Sequence, residues 1–297
     1  MHPRSIVALG AASFGWGLAG VGVRALFVAG ATTFTVVVFR ILFATVAIVG
    51  YGLVRQTVID REAWRRGSAI GVLRIGIAPM LFIGSLNFVS AGFEALVITL
   101  VPVVTAVMAR FLLSETLRRT QVFGLLFGLT GTLIIVLSGD SGLAEGGSAL
   151  VGGGLAFGGV VVGSMSGILS RRFAPMHNTT ELAIPMFVSG LFVAGAVGLA
   201  VGGVTPTSVA SGYWVLLIGL GLGSTLLPFA ATLYATKHVS ATVVALTGYT
   251  APLVGLIGGV VLLHELITPA IAVGGLLTLA GVVAVGTPGR SPSGLAS

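Results

Sequence analysis

The chain has 297 residues, of which 56% are hydrophobic and 8% are charged. A soluble protein carries about 25% charged residues, so this composition excludes a soluble globular domain and predicts an integral membrane protein. The formal net charge is +7, but in so apolar a chain this excess reports orientation in the membrane, and we predict no binding to nucleic acid. The absence of cysteine excludes disulfides and thiolate metal sites.

Apolar runs follow one another along the chain, separated by short charged or turn-rich breaks. A helix needs about 20 apolar residues to cross the hydrocarbon core, whereas membrane β-barrels show alternating segments of roughly ten residues. The first run is longer than the core of a cleaved signal peptide, so we predict that it is retained. The sequence thus predicts an all-α membrane protein with ten transmembrane helices. Their approximate ranges are 5–23, 32–54, 67–86, 91–113, 120–138, 149–170, 179–201, 212–236, 240–263 and 268–287.

Basic residues fall mainly on one side of this arrangement. With a cytoplasmic N-terminus, the outer loops hold Arg24, while the outer segments 139–148 and 202–212 have no basic residue. Cytoplasmic loops are enriched in Lys and Arg. We therefore predict a multi-pass protein of the cell inner membrane with both termini in the cytoplasm. The inner loops and ends hold Arg4, Arg55, Arg61, Arg65, Arg66, Arg118, Arg119, Arg171, Arg172, Lys237 and Arg290.

The stretch LLHELITP (262–269) begins like half of a zinc-binding HExxH motif. Such a site needs a second histidine four residues after His264, on the same helix face. Position 268 is Thr268, so the sequence predicts no metal site here. Glu265 needs another explanation.

An internal duplication explains Glu265. Residues 89–124 align without a gap on 239–274, which places Glu115 on Glu265. Further identical pairs are Val89 and Val239, Ser90 and Ser240, Ala91 and Ala241, Pro102 and Pro252, Gly124 and Gly274, and Gly131 and Gly281.

The duplication predicts two repeats of five helices each, over residues 1–145 and 146–297. Because five is an odd number, the two repeats are predicted to enter the membrane in opposite directions. Inverted repeats are typical of transporters that alternate between inward-open and outward-open states around a midplane site.

The repeated segments resemble a known family. A mid-helix proline followed by LLSETLRRTQVFGLLFGLTG (112–131), and the second copy LLHELITPAIAVGGLLTLAG (262–281), are similar to the EamA-type branch of the drug/metabolite transporter superfamily. FGWG (14–17) and FR (39–40) fit the same resemblance. It implies a ten-helix inner-membrane exporter of amino acids or related metabolites, similar to bacterial exporters of aromatic amino acids.

Aromatic and polar residues deep in the predicted helices are candidates for a substrate cavity. Trp16 and Tyr249 fall near the middle of their helices, where they either line a cavity or fill packing space. Arg40 either attracts a substrate carboxylate, snorkels outward or binds helix-end carbonyls, because a buried arginine needs a partner. GWGLAG (15–20) reads G-x-G-x-x-G, but inside a membrane helix it indicates close packing. The candidate substrate-binding residues are Trp16, Arg40, Met80, Thr99, Phe157 and Tyr249.

Pro102 and Pro252 occupy equivalent positions in the two repeats. Each removes a backbone donor and frees a carbonyl one turn earlier. A proline in a membrane helix is either a tolerated kink or, when paired across repeats, a bend. We predict that these two are hinges.

The acidic residues and histidines all fall in predicted loops or near helix ends. Proton-coupled carriers commonly place such a group within the membrane, so the sequence predicts gradient-driven export without ion coupling. An uncharged cavity favours amino acids with apolar side chains, and multidrug export is the alternative. No set of nucleophile, base or metal ligands is evident. We therefore predict no enzyme activity, no cofactor and no partner beyond substrate and lipid, in a monomer or weak homodimer; an intramembrane enzyme or a receptor or scaffold stays as the alternative outside transport.

Overall fold

A computed structural model describes residues 3–112, 119–137, 147–173, 176–236, 247–264 and 266–286. Within these ranges the chain is helical and contains no strand, and its helical segments follow the predicted order. They are α1 (Pro3–Val28), α2 (Thr33–Val54), α3 (Arg61–Ser85), α4 (Ala91–Ile98 and Val101–Leu112), α5 (Arg119–Leu137), α6 (Ala149–Phe173), α7 (Thr179–Ala200), α8 (Trp214–Gly221, Leu222–Leu226 and Leu227–Thr236), α9 (Thr247–Leu263) and α10 (Pro269–Gly286).

Six helical spans in the described part of the chain are long and apolar enough to cross a membrane. They are Ile6–Val28, Thr33–Val54, Arg61–Ser85, Ala149–Ser170, Thr179–Ala200 and Ser211–Thr232. Shorter apolar spans lie at Ala91–Thr105, Val122–Gly131 and Pro269–Gly281. The all-helical fold that the composition predicts is confirmed.

Side-chain caps start several of these helices. The side chains of Thr32, Asp60 and Ser90 accept the N–H of the residue three positions later; α7 begins with a capping box of Asn178 and Glu181. A cap satisfies one of the donors that a helix start leaves unpaired. At the other ends, left-handed residues stop the helices: Gly30 after α1, Gln56 after α2, Gly202 after α7 and His264 after α9. The end of α9 at His264 also rules out one continuous helix face through LLHELITP.

One helix in each repeat contains a π turn. The turn in α3 covers Val72–Ile77 and the turn in α8 covers Leu222–Leu226, which is the same place after a shift of 150 residues. In both, the residue that closes the turn donates to the carbonyl five residues earlier. Pro79 and Pro228 follow immediately. Because proline has no N–H and its ring clashes with the carbonyl four residues back, a widened turn accommodates it.

Helix packing follows the duplication as well. A shift by five helices turns each of the following contacts into a contact of the same bundle. It turns α1–α9 into α6–α4, α2–α8 into α7–α3, and α1–α8 into α6–α3. The contacts α5–α10, α2–α7 and α4–α9 are each turned into themselves. Between α5 and α10, a Cβ on Gly131 would overlap the carbonyl of Gly274, and a Cβ on Gly281 would overlap that of Gly124. These four glycines, which we call the glycine seam, therefore make the same contact twice.

Three clusters of buried apolar residues lie in the described part of the bundle. The largest joins α1, α2, α3, α7 and α8, a second joins α4, α6 and the start of α10, and a small third cluster joins α3 and α7. The first two lie around the α2–α8 crossing and the start of α4, which is where Arg40 and Glu94 lie.

Helix α4 differs from the predicted continuous helix 91–113. It is interrupted after Ile98, and the N–H groups of Thr99 and Leu100 donate to carbonyls three residues earlier. The helix resumes at Val101. Pro102, which cannot donate to Ile98, gives the physical reason. Helix α9, in contrast, runs through Pro252 without a break, so a proline alone does not impose the interruption.

Candidate functional site

Arg40 lies inside the bundle where α2 of the first repeat crosses α8 of the second. Its Nε donates to the hydroxyl of Thr225 at 2.5 Å, and its Nη2 donates to the backbone carbonyl of Ser224 at 2.8 Å. The close crossing depends on Gly221, because a Cβ there would lie 2.8 Å from the carbonyl oxygen of Arg40. Among the sequence-based alternatives for Arg40 was a contact with helix-end carbonyls; the carbonyl that it binds belongs to Ser224, in the middle of α8.

The acceptor for Arg40 exists because of Pro228. In a regular α-helix the Ser224 carbonyl would accept the N–H of residue 228, and proline has none. The π turn leaves this carbonyl available inside the protein, where an unsatisfied acceptor is costly. Arg40 satisfies it from another helix. The hydroxyl of Thr225 completes the set and donates in turn to the carbonyl of Leu220 at 3.1 Å.

Glu94 shows that an acidic residue near a helix end can still be buried in this protein. It stands in the first turn of α4, near a helix end as predicted, but that end is inside the protein and the side chain is only 7% exposed. Its Oε2 lies 3.3 Å from where a Cβ on Gly20 would be. It carries the charge opposite to that of Arg40, and among the described residues no ion pair joins the two groups. The argument from missing buried carboxylates to uncoupled export therefore loses its basis.

The glycines of GWGLAG bring α1 close to both repeats, which confirms the packing interpretation. A Cβ on Gly15 would overlap the carbonyl of Gly223 in the α8 π turn, and a Cβ on Gly17 would lie 2.6 Å from the carbonyl of Ala251 in α9. Gly20 faces Glu94 of α4. Helix α1 thus packs beside the same α8 turn that binds Arg40.

An apolar cleft of about 420 Å³ opens between α1 and α8, and its polar lining residue is Ser224. The other lining residues are Leu18, Val21, Gly22, Ala25, Leu216, Gly219, Leu220 and Leu262. A second cavity of about 450 Å³ is polar and lies where α2 ends and α7 begins, with Arg55 and Glu181 in its wall. Neither is lined by the six predicted substrate-binding residues.

The predicted cavity residues occupy different surroundings. Trp16 is half-buried in α1, and Met80 is partly buried in α3 and packs on the core that joins α1, α2, α3, α7 and α8. Thr99 is fully buried, and its hydroxyl donates to the carbonyl of Leu96 at 2.6 Å. Phe157 on α6 is 40% exposed. No hydrogen bond among the described residues joins any two of the six.

Several candidates cannot be placed at the side-chain level. Tyr249, Pro102 and Pro252 lie in helices, but their side chains are outside the described residues, as are Glu115 and Glu265 as a whole. Their predicted roles stay predictions.

Sequence reasoning missed Glu94, Ser224 and Thr225. The available signal was Pro228, since a proline in a membrane helix frees the carbonyl four residues earlier and so points to Ser224. Among the described residues, no group of three or more His, Cys, Asp or Glu could hold a metal ion.

These features define a multi-pass helical membrane protein made of two similar halves, in which Arg40 of one half is bound to Ser224 and Thr225 of the other. The EamA-like transporter family model matches the chain twice, over residues 4–137 and 150–287. The chain belongs to this family. Members of the family are membrane transporters of small metabolites, not enzymes.

The chain is similar to known proteins along most of its length. YyaM, an uncharacterized transporter of Bacillus subtilis (strain 168), is 25% identical over 230 residues, which are 73% of each protein. A solved structure described only as "Crystal structure of protein" superposes with a TM-score of 0.67 at 19% identity, over 96% of both chains. At that identity the similarity shows the fold alone.

Proposed function

We propose that this chain exports amino acids or similar small metabolites by alternating access between two inverted five-helix repeats, residues 1–145 and 146–297. Ten helices cross the inner membrane, both termini are cytoplasmic, and the chain acts as a monomer or weak homodimer. An odd number of crossings per repeat requires the two repeats to have opposite orientation.

The observation that carries this proposal is the position of Arg40. It joins α2 of one repeat to the π turn of α8 in the other, so the contact between repeats runs through a charged group. The reciprocal helix pairs and the glycine seam support it, because two halves that pack by the same contacts can exchange arrangements. Arg40 and Glu94 together offer both charges that an amino acid needs for its carboxylate and its ammonium group.

Organic-cation export is the second candidate. The sequence argued against cationic drugs because it showed no buried carboxylate, and Glu94 removes that objection. An organic cation would use Glu94 without needing Arg40, whereas an amino acid would use both residues.

Counterflow in liposomes tests the proposal. Purified protein is reconstituted with an unlabelled amino acid inside, and uptake of the same labelled amino acid is followed for phenylalanine, tryptophan, leucine and lysine without any ion gradient. We expect transient accumulation with at least one of them, and its loss in Trp16→Ala and in Tyr249→Ala. If tetraphenylphosphonium shows counterflow and none of the four amino acids does, the result favours the cation exporter instead.

A further inference from the structure

The carboxylate of Glu94 is not directly bound to any cation in the part of the chain that the structure describes. Its carboxylate is buried between α4 and α1, beside Gly20. Among the described residues, no hydrogen bond or ion pair ends on this carboxylate. A buried carboxylate without a donor is unfavourable unless a proton or a cation neutralises it. The position of Glu94 therefore favours the binding of a proton or a cation by its carboxylate.

The charged groups around Glu94 do not provide that cation by contact. Among the described residues, no ion pair joins Glu94 to Arg40, whose Nε and Nη2 are bound to α8. Arg24 of α1 donates to a backbone carbonyl in the loop before α4. Helix α10 has no titratable residue, α6 has its charges at the end in Arg171 and Arg172, and α5 has Arg119 at its first residue. Helix α9 contributes Tyr249, whose side chain lies outside the described residues.

Arg40 and Glu94 carry the two charges that bind the two ends of an amino acid. A guanidinium has five N–H donors, so Arg40 can bind a carboxylate while it stays attached to α8. An ammonium group can bind Glu94. A proton on Glu94 would compete with that ammonium group, because both neutralise the same carboxylate.

We propose that Glu94 is a shared site for a proton and for the ammonium group of the substrate, which makes this transporter a proton/amino-acid exchanger. In the outward step the carboxylate holds the ammonium group and no proton. After release outside, an O–H bond forms on Glu94 with an incoming proton, and it breaks when the proton leaves to the cytoplasm. One proton enters for each amino acid exported. This inference rests on the proposed function.

A proton gradient tests it directly. Liposomes containing the protein are prepared with an acidic lumen and a neutral exterior, with labelled phenylalanine outside. We expect accumulation of phenylalanine above its external concentration, and collapse of that accumulation by a protonophore. Without a gradient, the apparent KM in counterflow should rise by up to about tenfold per pH unit as the pH falls, with the maximal rate unchanged. Inhibition by 3-phenylpropanoate, which lacks the ammonium group, should not change in this way.

Glu94→Gln separates coupling from transport. We expect it to raise the KM of phenylalanine counterflow, to remove the pH dependence of that KM, and to lose accumulation driven by the gradient. Glu94→Asp should restore part of the coupling. The matched control is Glu62→Gln, an exposed carboxylate in the first turn of α3 that pairs with Arg66; it should behave like the native protein.

The outcomes that overturn the inference are distinct from those that overturn the proposed function. Absence of counterflow with every amino acid refutes the function. Counterflow without any effect of the gradient, accumulation that needs an alkaline lumen, or gradient-driven accumulation that survives in Glu94→Gln refutes only the coupling role. If Glu94→Gln does not fold, the pH dependence of KM in the native protein decides.

Discussion

Arg40 and Glu94 place opposite charges inside the bundle on helices of the same repeat, and Arg40 is bound to the other repeat. Their energetic coupling can be measured by a double-mutant cycle. Arg40→Met leaves the Ser224 carbonyl without its donor, and an unsatisfied acceptor inside a protein costs about 1–3 kcal/mol. We expect the double variant Arg40→Met/Glu94→Gln to be more stable than the sum of the single effects by about 1–3 kcal/mol.

The measurement is the unfolding free energy in detergent for the native protein, both single variants and the double variant. The control cycle uses Arg66→Met and Glu62→Gln, a pair one helical turn apart in which Glu62 is exposed and Arg66 is partly buried, and its coupling energy should stay below about 1 kcal/mol. Strict additivity at Arg40 and Glu94 would show that the two charges do not act on each other.

Sequence reasoning found Arg40 but not Glu94, and the reason is geometric. The depth of Arg40 follows from counting residues into an apolar helix. Glu94 and the exposed Glu62 both lie in the first turn of their helices. Distance along a helix does not tell whether its end reaches water or lies under neighbouring helices, because that depends on packing between distant segments.

At the scale of elements, the glycine seam holds α5 against α10. A Cβ on Gly131 would overlap the backbone of Gly274 and would also crowd Thr278, while a Cβ on Gly281 would overlap Gly124. Backbone cannot move aside as a flexible side chain can. We therefore expect Gly131→Ala and Gly281→Ala each to lower the unfolding free energy by about 1–3 kcal/mol, and by similar amounts because the contacts are reciprocal.

Gly163 of α6 is the matched control. It also lies inside a helix, but nothing lies within 4 Å of a Cβ built there. Gly163→Ala should leave stability unchanged or raise it by about 0.4–1 kcal/mol. Equal effects at Gly131 and Gly163 would mean that the seam is not close-packed.

The helices themselves were largely predictable, and the π turns were not. Long apolar runs give the order and approximate limits of the helices. The gapless alignment at a shift of 150 residues also identifies the seam glycines as equivalent pairs, Gly124 with Gly274 and Gly131 with Gly281. Pro79 and Pro228 differ by 149 residues, so a gapless alignment places Phe229 opposite Pro79 and Ala78 opposite Pro228. The two π turns therefore coincide in the structure although the prolines beside them do not align.

For the whole molecule, the opposite orientation of the repeats is the property to test. The chain has no cysteine, so single cysteines can be introduced one at a time. Val58 lies between α2 and α3, and Val201 lies between the counterpart helices α7 and α8; both are exposed. Inverted repeats place these loops on opposite sides, with Val58 in the cytoplasm.

We expect a membrane-impermeant maleimide added to intact cells to label Val201→Cys, and to label Val58→Cys only after permeabilisation. The cysteine-free native chain is the control for background labelling. Labelling of both variants from the same side would show that the repeats are not inverted, whatever substrate the protein carries.

The π turns in α3 and α8 also bear on how the length of this chain can change. A π turn holds one residue more than the α turn it replaces, so deleting one residue within Val72–Ile77 or Leu222–Leu226 converts it to an α turn and leaves the flanking helix faces where they were. Elsewhere in the same helices a deletion rotates everything beyond it by about 100°. Each repeat therefore has one place where a residue can be lost while the surfaces on either side keep their neighbours.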